Sequence, residues 1–291
     1  MLYFEPQKGK AFDDLPDIIL RKFNTTNYYV STKFDGNQIF ISKLNGKVTF
    51  ATSDWKQFEL PAIGNSLVNI EHDFVLVGEF MNACQGKLGD RKHSAVLTTY
   101  RTAFNKGFAG PNDYLVSRST IKIFDYLPVI NGQVKSKIPY LDRLGMMPTF
   151  THPSLQPIIG SVMTGLEALS YTKELVNVGW EGCMLVEPHS HYHIGKRVNH
   201  SIKLKFRKTA DLLCINTELG TGKYDGMIGA LVLQDSKGRL ARVGSGLNDY
   251  QRSLPPRDFI GNIIEVEYEQ LMDTYVQPTF VQVSPDKKVS D

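Results

Sequence analysis

The chain has 291 residues, of which 42% are hydrophobic and 22% charged, the make-up of a folded protein and too apolar for a disordered one. At ~150 residues per domain this length predicts about two domains. The longest charge-free run, Leu144 to Leu166, is broken by Pro148, Pro153 and Pro157, which excludes a membrane-spanning helix. The formal net charge of +3 is unevenly placed: residues 1–208 carry +7 and residues 209–291 carry −4.

In chain order the first part alternates short β-branched and aromatic runs with turn residues. The start, MLYFEPQKGK, lacks the apolar core of a secretory signal, so none is expected. Strands are predicted at Tyr28–Thr32, Gln38–Ser42, Lys47–Ala51, Phe74–Phe80, Ile121–Tyr126, Gly182–Val186 and Ile202–Phe206. Asn45-Gly46 reads as a hairpin turn. Helices are predicted at Pro16–Phe23, Tyr140–Met146 and Gly165–Val178, the last with Leu166, Leu169 and Leu175 as a partial apolar stripe. Five more strands follow at Asp211–Glu218, Ile228–Gln234, Leu240–Val243, Ile263–Gln270 and Thr279–Val283, a spacing that suits a small closed barrel such as an OB-fold. The boundary falls near Lys208, where the charge changes sign.

Two stretches concentrate positive charge. Lys87 to Arg118 has six basic and two acidic residues, and Pro188 to Ala210 has six basic and none acidic. A solvated basic face is the ordinary reading, and a polyanion partner the functional one. Three scattered cysteines, Cys84, Cys183 and Cys214, form no CxxC, which argues against a disulfide scaffold or zinc site and for a reducing cytoplasm. His189, His191 and His193 alternate as in a strand and would share one face; no nearby Cys or acid completes a metal site.

Residues able to do chemistry sit at strand ends. Lys33-Phe34-Asp35-Gly36 follows a strand, and alternation puts Lys33 and Asp35 on one face if the strand runs through them. A lysine attacks only as the neutral amine, so positive charge nearby is needed to lower its pKa. Lys203 and Lys205, alternating with Ile202, Leu204 and Phe206, offer that charge on a cationic face suited to a triphosphate. Glu79 follows an apolar strand, and Glu181-Gly182 precedes one. An acid at such an edge meets a cation, because burying it unpaired is costly. A metal, a lysine, a ligand hydroxyl or an ordinary salt bridge would serve. Phe124 is either core or a stacking platform for a base. Trp55 and Trp180 have no assignable role beyond packing.

Taken N to C, Lys33-x-Asp35-Gly36, Gly78-Glu79-Phe80, Phe124-Asp125, Glu181-Gly182 and Lys203-x-Lys205 resemble the ordered motifs of the covalent nucleotidyltransferases: DNA ligases, RNA ligases and mRNA-capping guanylyltransferases. The C-terminal part, above all Val243-Gly244-Ser245-Gly246 after a short strand, looks like the OB domain of compact ATP-dependent DNA ligases of the bacteriophage type. The resemblance implies an α+β fold: a nucleotidyltransferase (adenylation) domain over residues 1–208, built on antiparallel sheets with flanking helices, then a β-barrel OB-fold domain over 209–291. Only 32 residues precede Lys33, so a helical DNA-binding domain ahead of it is not expected.

Carried over by the same resemblance, Lys33 is the nucleotide-attached lysine, and Asp35 orients it or the phosphate. Glu79 binds the ribose and helps hold metal, Phe124 stacks on the base, Glu181 binds the catalytic metal, and Lys203 and Lys205 grip the phosphates, with Thr32 beside the nucleotide. Lys87, Arg91, Lys92, Arg101, Lys106, Lys196 and Arg197 would hold the DNA backbone. Arg239, Arg242, Asp286 and Lys287, with Lys288, would close over ATP or the duplex. ATP, Mg²⁺ (or Mn²⁺), nicked duplex DNA, a monomer and a cytoplasmic setting are implied. The chain departs from the pattern where the family carries arginine: Gln38, the Ala51-Thr52-Ser53-Asp54 stretch, Gln282 and Ser284. An RNA ligase, a GTP-dependent capping guanylyltransferase and an inactive nucleic-acid-binding relative are the alternatives.

Overall fold

The computed structural model describes residues 5–82, 119–271, 274–284, 286–287 and 289–291. The chain divides into two compact units, residues 1–205 and 206–291.

The first unit contains strands β1 (Lys8–Ala11), β2 (Asn27–Thr32), β3 (Asn37–Leu44), β4 (Lys47–Thr52), β5 (Gln57–Phe58), β6 (Asp73–Asn82), β7 (Ser119–Ile130), β8 (Gln133–Val134), β9 (Leu155–Pro157), β10 (Gly160–Thr164), β11 (Cys183–Val186) and β12 (Arg197–Leu204). Helices α1 (Asp17–Phe23), α2 (Pro61–Val68), α3 (Tyr140–Gly145) and α4 (Gly165–Asn177) flank them. One sheet runs β5-β4-β3-β6-β7-β8, with β9 beside β7; the other runs β1-β12-β11-β2-β10. Pairing is antiparallel except for β1 with β12 and β7 with β9.

Both faces of the larger sheet are covered, so its strands alternate between two apolar sets. Ile39, Ile41, Phe74 and Leu76 pack with Ile63 and Leu67 of α2. Phe40, Val75, Val77 and Leu127 pack on the other face with Tyr192. Helix α2 is absent from the sequence expectation because Gly64, Asn65 and Ser66 are poor helix formers. Pro61 in its first turn and the fully buried Ile63 and Leu67, four residues apart, make it a helix through packing.

Three expectations are corrected. In α4 the buried stripe is Gly165, Ala168, Thr172 and Val176, while Leu166 faces solvent; small residues let the helix lie close on its sheet, and a reciprocal cap between Thr164 and Glu167 starts it. The strand expected over Ile202–Phe206 ends at Leu204. His189, in a turn, and His191 and His193, in irregular chain, lie outside any strand. That segment is held by the buried Tyr192, whose N–H donates to Ser136 O at 2.9 Å, and by the His193 N–H on Gln7 Oε1 at 2.6 Å.

The second unit contains β13 (Lys208–Leu219), β14 (Ile228–Gln234), β15 (Leu240–Val243), β16 (Ile263–Tyr268), β17 (Gln270–Leu271), β18 (Tyr275–Val276) and β19 (Thr279–Val283), with helix α5 (Asp249–Ser253). The sheet order is β15-β14-β13-β16-β19. Its ends meet where Ser245 bridges Thr279 in parallel and the Phe280 N–H donates to Ser245 O at 2.9 Å. The sheet therefore closes on itself around Leu212, Leu231, Leu233, Val243, Ile264 and Val266, as an OB-type barrel does.

Arg252 of α5 is buried under this barrel. Its guanidinium donates to the carbonyls of Ile228 at 2.9 Å, Gly229 at 2.8 Å and Leu247 at 3.2 Å, and to that of Gly244. It thus ties the helix to β14 and to the end of β15. We expect Arg252→Met to leave these buried acceptors unpaired and to cost the second unit about 3 kcal/mol in urea denaturation. Arg252→Lys should recover little, since an ammonium cannot reproduce the planar fork.

Candidate active site

Strand register brings the chemistry-bearing residues of the first unit together. β11 lies between β2 and β12, with Cys183 opposite both Thr32 and Leu204. The residues just before Cys183 are therefore level with those just after Thr32 and just after Leu204. Glu181 accordingly stands between Lys33 and Lys205, and each lysine pairs with one of its two carboxylate oxygens. The Lys33 N–H donates to Gly182 O at 2.8 Å. Gly182 has φ of +145°, and a Cβ there would run into the Leu204 carbonyl, so only glycine permits this approach.

β2 ends at Thr32, so the strand does not run through Lys33 and Asp35, and the condition for their sharing a strand face is not met. The chain instead leaves the smaller sheet for the larger one. The Gly36 N–H donates to Glu79 Oε1 at 3.0 Å, and a Cβ on Gly36 would lie 2.5 Å from Phe80 O. The KxDG glycine is thus a close-contact position that delivers the chain from β2 to β3.

The two carboxylates have opposite electrostatics. Burial alone would raise the Glu181 carboxyl, but Lys33 and Lys205 outweigh it and hold it below the usual range. Burial pushes Glu79 up to about 7, against the pull of Lys33 and the Gly36 N–H and with the help of nearby negative charge on Asp35 and Glu181. Lys203 is lowered by burial, and further by Lys33, Arg197 and Lys205.

Thr32, Lys33, Glu79, Phe124 and Lys203 line one cavity of about 270 Å³, near the lower end of ligand-pocket sizes. Sequence reasoning missed several other walls of it: Gln7 just before β1 and Gly9 within it, Met184 and Val186 from β11, and Tyr140 and Tyr192. It also missed what holds Phe124. Arg143 Nε and Nη2 donate to the two oxygens of the buried Asp125, each at 2.8 Å, and Tyr140 OH donates to Phe124 O at 2.9 Å. A motif acid followed 18 residues later by an arginine gives no local signal, so only the fold reveals the pair.

The remaining expected residues are dispersed. Lys87, Arg91, Lys92, Arg101 and Lys106 lie outside the described residues, as do Cys84 and Lys288. Lys196 accepts a backbone hydrogen bond from Lys8, and Arg197 Nη1 donates to Gly9 O at 3.0 Å, so both stand at the β1–β12 pairing. In the second unit Arg239 pairs with Asp235 at 2.6 Å, Arg242 with Glu218, and Lys287 with Asp211, while Asp286 is exposed. Gln282 donates to Glu265 at 2.7 Å and Ser284 is buried. Trp55 stacks on Phe40 and Trp180 meets the edge of Phe34. His193 faces His200, which burial pushes down to about 4.

The donor set fits a hard divalent cation supported mainly by a ligand. Among the described residues no cluster of three or more His, Cys, Asp or Glu could hold a metal. Glu79 and Glu181 offer carboxylate oxygens, and Glu79 is partly buried with too little positive charge around it. Mg²⁺ is commonly held by one or two carboxylates with phosphate oxygens and water completing the shell.

A family model described as an ATP dependent DNA ligase domain matches residues 6–205, and one described as a DNA ligase OB-like domain matches residues 219–283. DNA ligase 2 of Methanosarcina acetivorans is 28% identical over 249 residues, covering 76% of this chain and 41% of that protein. DNA ligase of Haemophilus influenzae is 27% identical over 118 residues, covering 40% of this chain and 42% of that one. The chain thus spans about two fifths of the length of each of these curated relatives. Among solved structures, one from a study of Lig E DNA ligases has a TM-score of 0.70 at 19% identity, covering 97% of this chain and all of that one. The ATP-dependent DNA ligase from bacteriophage T7 in complex with ATP has a TM-score of 0.50 at 16% identity, covering 96% and 98%. These structural likenesses establish the fold.

The raised Glu79 pKa has a thermodynamic signature. Because the folded protein holds this proton more tightly than the unfolded chain does, stability falls as pH rises from about 4.5 to about 7 and levels off above. Glu79→Gln removes that penalty. In urea denaturation the variant should gain on the wild type between pH 5 and pH 8, by an amount of the order of 3 kcal/mol. A difference independent of pH would show that Glu79 is not titrating in this range.

Proposed function

The chain belongs to the ATP-dependent DNA ligase family, and from that premise we propose that it seals nicks in duplex DNA at the expense of ATP, through an adenylate carried on Lys33. The observation that carries this reading is the convergence of Lys33, Glu79, Phe124 and Lys203 on one cavity, with Glu181 and Lys205 at its Lys33 end.

In this reading Lys33 Nζ, as the free amine, attacks the α-phosphorus of ATP. The bond to the β-phosphate oxygen breaks, pyrophosphate leaves, an N–P bond forms, and the proton passes to solvent. A 5′-phosphate oxygen at the nick then displaces Lys33 from that phosphorus, and the lysine leaves as the amine. The 3′-hydroxyl finally attacks the 5′-phosphate and expels AMP, closing the phosphodiester bond.

Each side chain has a task. Lys203 and Lys205 bind phosphate oxygens and offset their charge, Phe124 stacks on the base, and Asp35 orients Lys33 or the phosphate. Glu79 and Glu181 would hold Mg²⁺ (or Mn²⁺), which when bound neutralises charge on phosphoryl oxygens. As nucleotide phosphates come to share Lys33 and Lys205, Glu181 is released toward that role. Thr32 flanks the nucleotide, and Lys196 and Arg197 serve the DNA backbone. Asp286 and Lys287 of the second unit, with Arg239 and Arg242, would close over ATP or the duplex. The protein acts as a monomer in the cytoplasm; no helix among the described residues is long and apolar enough to cross a membrane.

Incubation with α-labelled ATP and Mg²⁺, followed by denaturing electrophoresis, tests this directly. The wild type should retain covalent label, Lys33→Ala and Lys33→Arg should retain less than about a thousandth of it, and binding of Lys33→Ala to nicked duplex should stay within about threefold, because that grip is spread over many cations. Full labelling of Lys33→Ala would refute the assignment. Label taken from GTP instead of ATP would favour a capping guanylyltransferase.

A further inference from the structure

Lys122 of β7 is a half-buried cation beside the site that the assignments above leave unused. The sheet ladder sets Gln38, Glu79 and Lys122 side by side across β3, β6 and β7, with Gln156 of β9 next in the row. Directly paired residues on neighbouring strands project from the same face, and that face borders the cavity at Gln38 and Glu79. Lys122 Nζ donates to Gln156 Oε1 at 2.7 Å and lies 5.2 Å from the centroid of Phe34, the residue next to Lys33.

Among the described residues, the partners of this ammonium are a neutral amide and an aromatic ring, and neither supplies a negative charge. Burial lowers the Lys122 pKa, and no carboxylate among the described residues offsets it. An ammonium carries three N–H donors, so one bond to Gln156 leaves donors for a further acceptor. Removing a cation from water without a counter-charge is unfavourable, and an anion docking beside Phe34 would relieve it. Gln38, on the other side of Glu79, is uncharged, so Lys122 is the single cation of this row.

We propose that Lys122 binds a phosphate of the nucleic-acid strand end that receives the adenylate. The choice of the strand end over the nucleotide follows from position. Lys203 and Lys205 belong to the end of β12 in the smaller sheet and serve the nucleotide phosphates there. Lys122 comes from the larger sheet and reaches the Lys33 loop across the Phe34 ring. The inference rests on the ligase reading of Lys33.

The test uses the full chain and separates the two phosphate sources. Lys122→Met keeps an apolar stem over Phe34 and removes the charge; Lys122→Arg keeps the charge. Self-labelling with α-labelled ATP is measured first, then single-turnover transfer from pre-adenylylated protein to a 5′-phosphorylated nick. For Lys122→Met, labelling should stay within about twofold of wild type while transfer slows at least about tenfold, one cation–phosphate contact's worth. Lys122→Arg should transfer at near wild-type rate, and adding Gln38→Arg to Lys122→Met should restore most of the loss by returning a cation to the row. Transfer by Lys122→Met at the wild-type rate, or an equal loss in labelling and transfer, would overturn the proposal. A wild-type protein that takes no label from ATP would overturn the ligase reading instead, a result that does not depend on Lys122.

Discussion

One carboxylate, Glu181, holds together two lysines that would otherwise repel, and the geometry of the site depends on it. Lys33 and Lys205 take its two oxygens, and Lys203 adds a third cation that feels the positive charge of Lys33, Arg197 and Lys205. Two unit charges 4 Å apart repel by about 4 kcal/mol at an effective dielectric constant of 20, so a single acid cannot neutralise the group. Register enforces the arrangement. β11 is the shared neighbour of β2 and β12, and a slip of one residue would turn its side chains to the opposite face and move Glu181 out from between the lysines. The fold thus gathers an excess of cations that is balanced only when an anion enters.

Glu79 is the complementary half of the same imbalance. It is a partly buried acid with too little positive charge around it, on the larger sheet rather than the lysines' smaller one, and burial pushes its carboxyl up to about 7. A site with an over-compensated acid on one sheet and an under-compensated acid on the other asks for both an anion and a cation. A polyphosphate with a bound divalent ion satisfies both demands at once. The Gly36 N–H on Glu79 and the Lys33 N–H on Gly182 couple the halves, because the same short loop is fastened to each sheet.

Lys33, Glu79, Glu181, Lys203 and Lys205 were legible in the sequence because each lies at or near the end of a short apolar strand, where a charged side chain is out of place unless something uses it. Their order along the chain did the rest. The barrel was legible from five alternating strands, and its closure falls at the Val243-Gly244-Ser245-Gly246 stretch singled out beforehand. What stayed hidden is non-local. β1 is four residues long and exists because it pairs with β12 nearly 190 residues away. Arg143 looks like an ordinary helical arginine until Asp125 is found beneath it. The leucines of α4 misled because a helix lying close to a sheet buries its smallest residues and leaves Leu166 outside. Lys122 gains meaning only from the residues beside it on other strands.

The second unit reaches an electrostatic balance of another kind. Residues 209–291 are net negative, and Arg239, Arg242 and Lys287, the described cations expected to serve the reaction, are each paired with an acid of the same unit. Any of them that serves a phosphate must first leave its partner, and the difficulty of leaving sorts them. Arg239 is bound to Asp235, a buried acid that also accepts from two backbone N–H groups, of Lys237 and of Arg239 itself, and from Tyr275 OH. Withdrawing Arg239 would strand a buried carboxylate, which is costly. Arg242 is paired with Glu218 at the surface, both side chains being well exposed, whereas Lys287, itself half exposed, is bound to Asp211, whose side chain is only 13% exposed. A surface pair such as that of Arg242 contributes little and is screened by salt, so a phosphate can take this arginine from its partner at small cost, whereas withdrawing Lys287 would leave the largely buried Asp211 carboxylate without its cation. Arg239 therefore reads as part of the barrel's own structure, and of these three cations Arg242 is the one most readily given up to a polyanion.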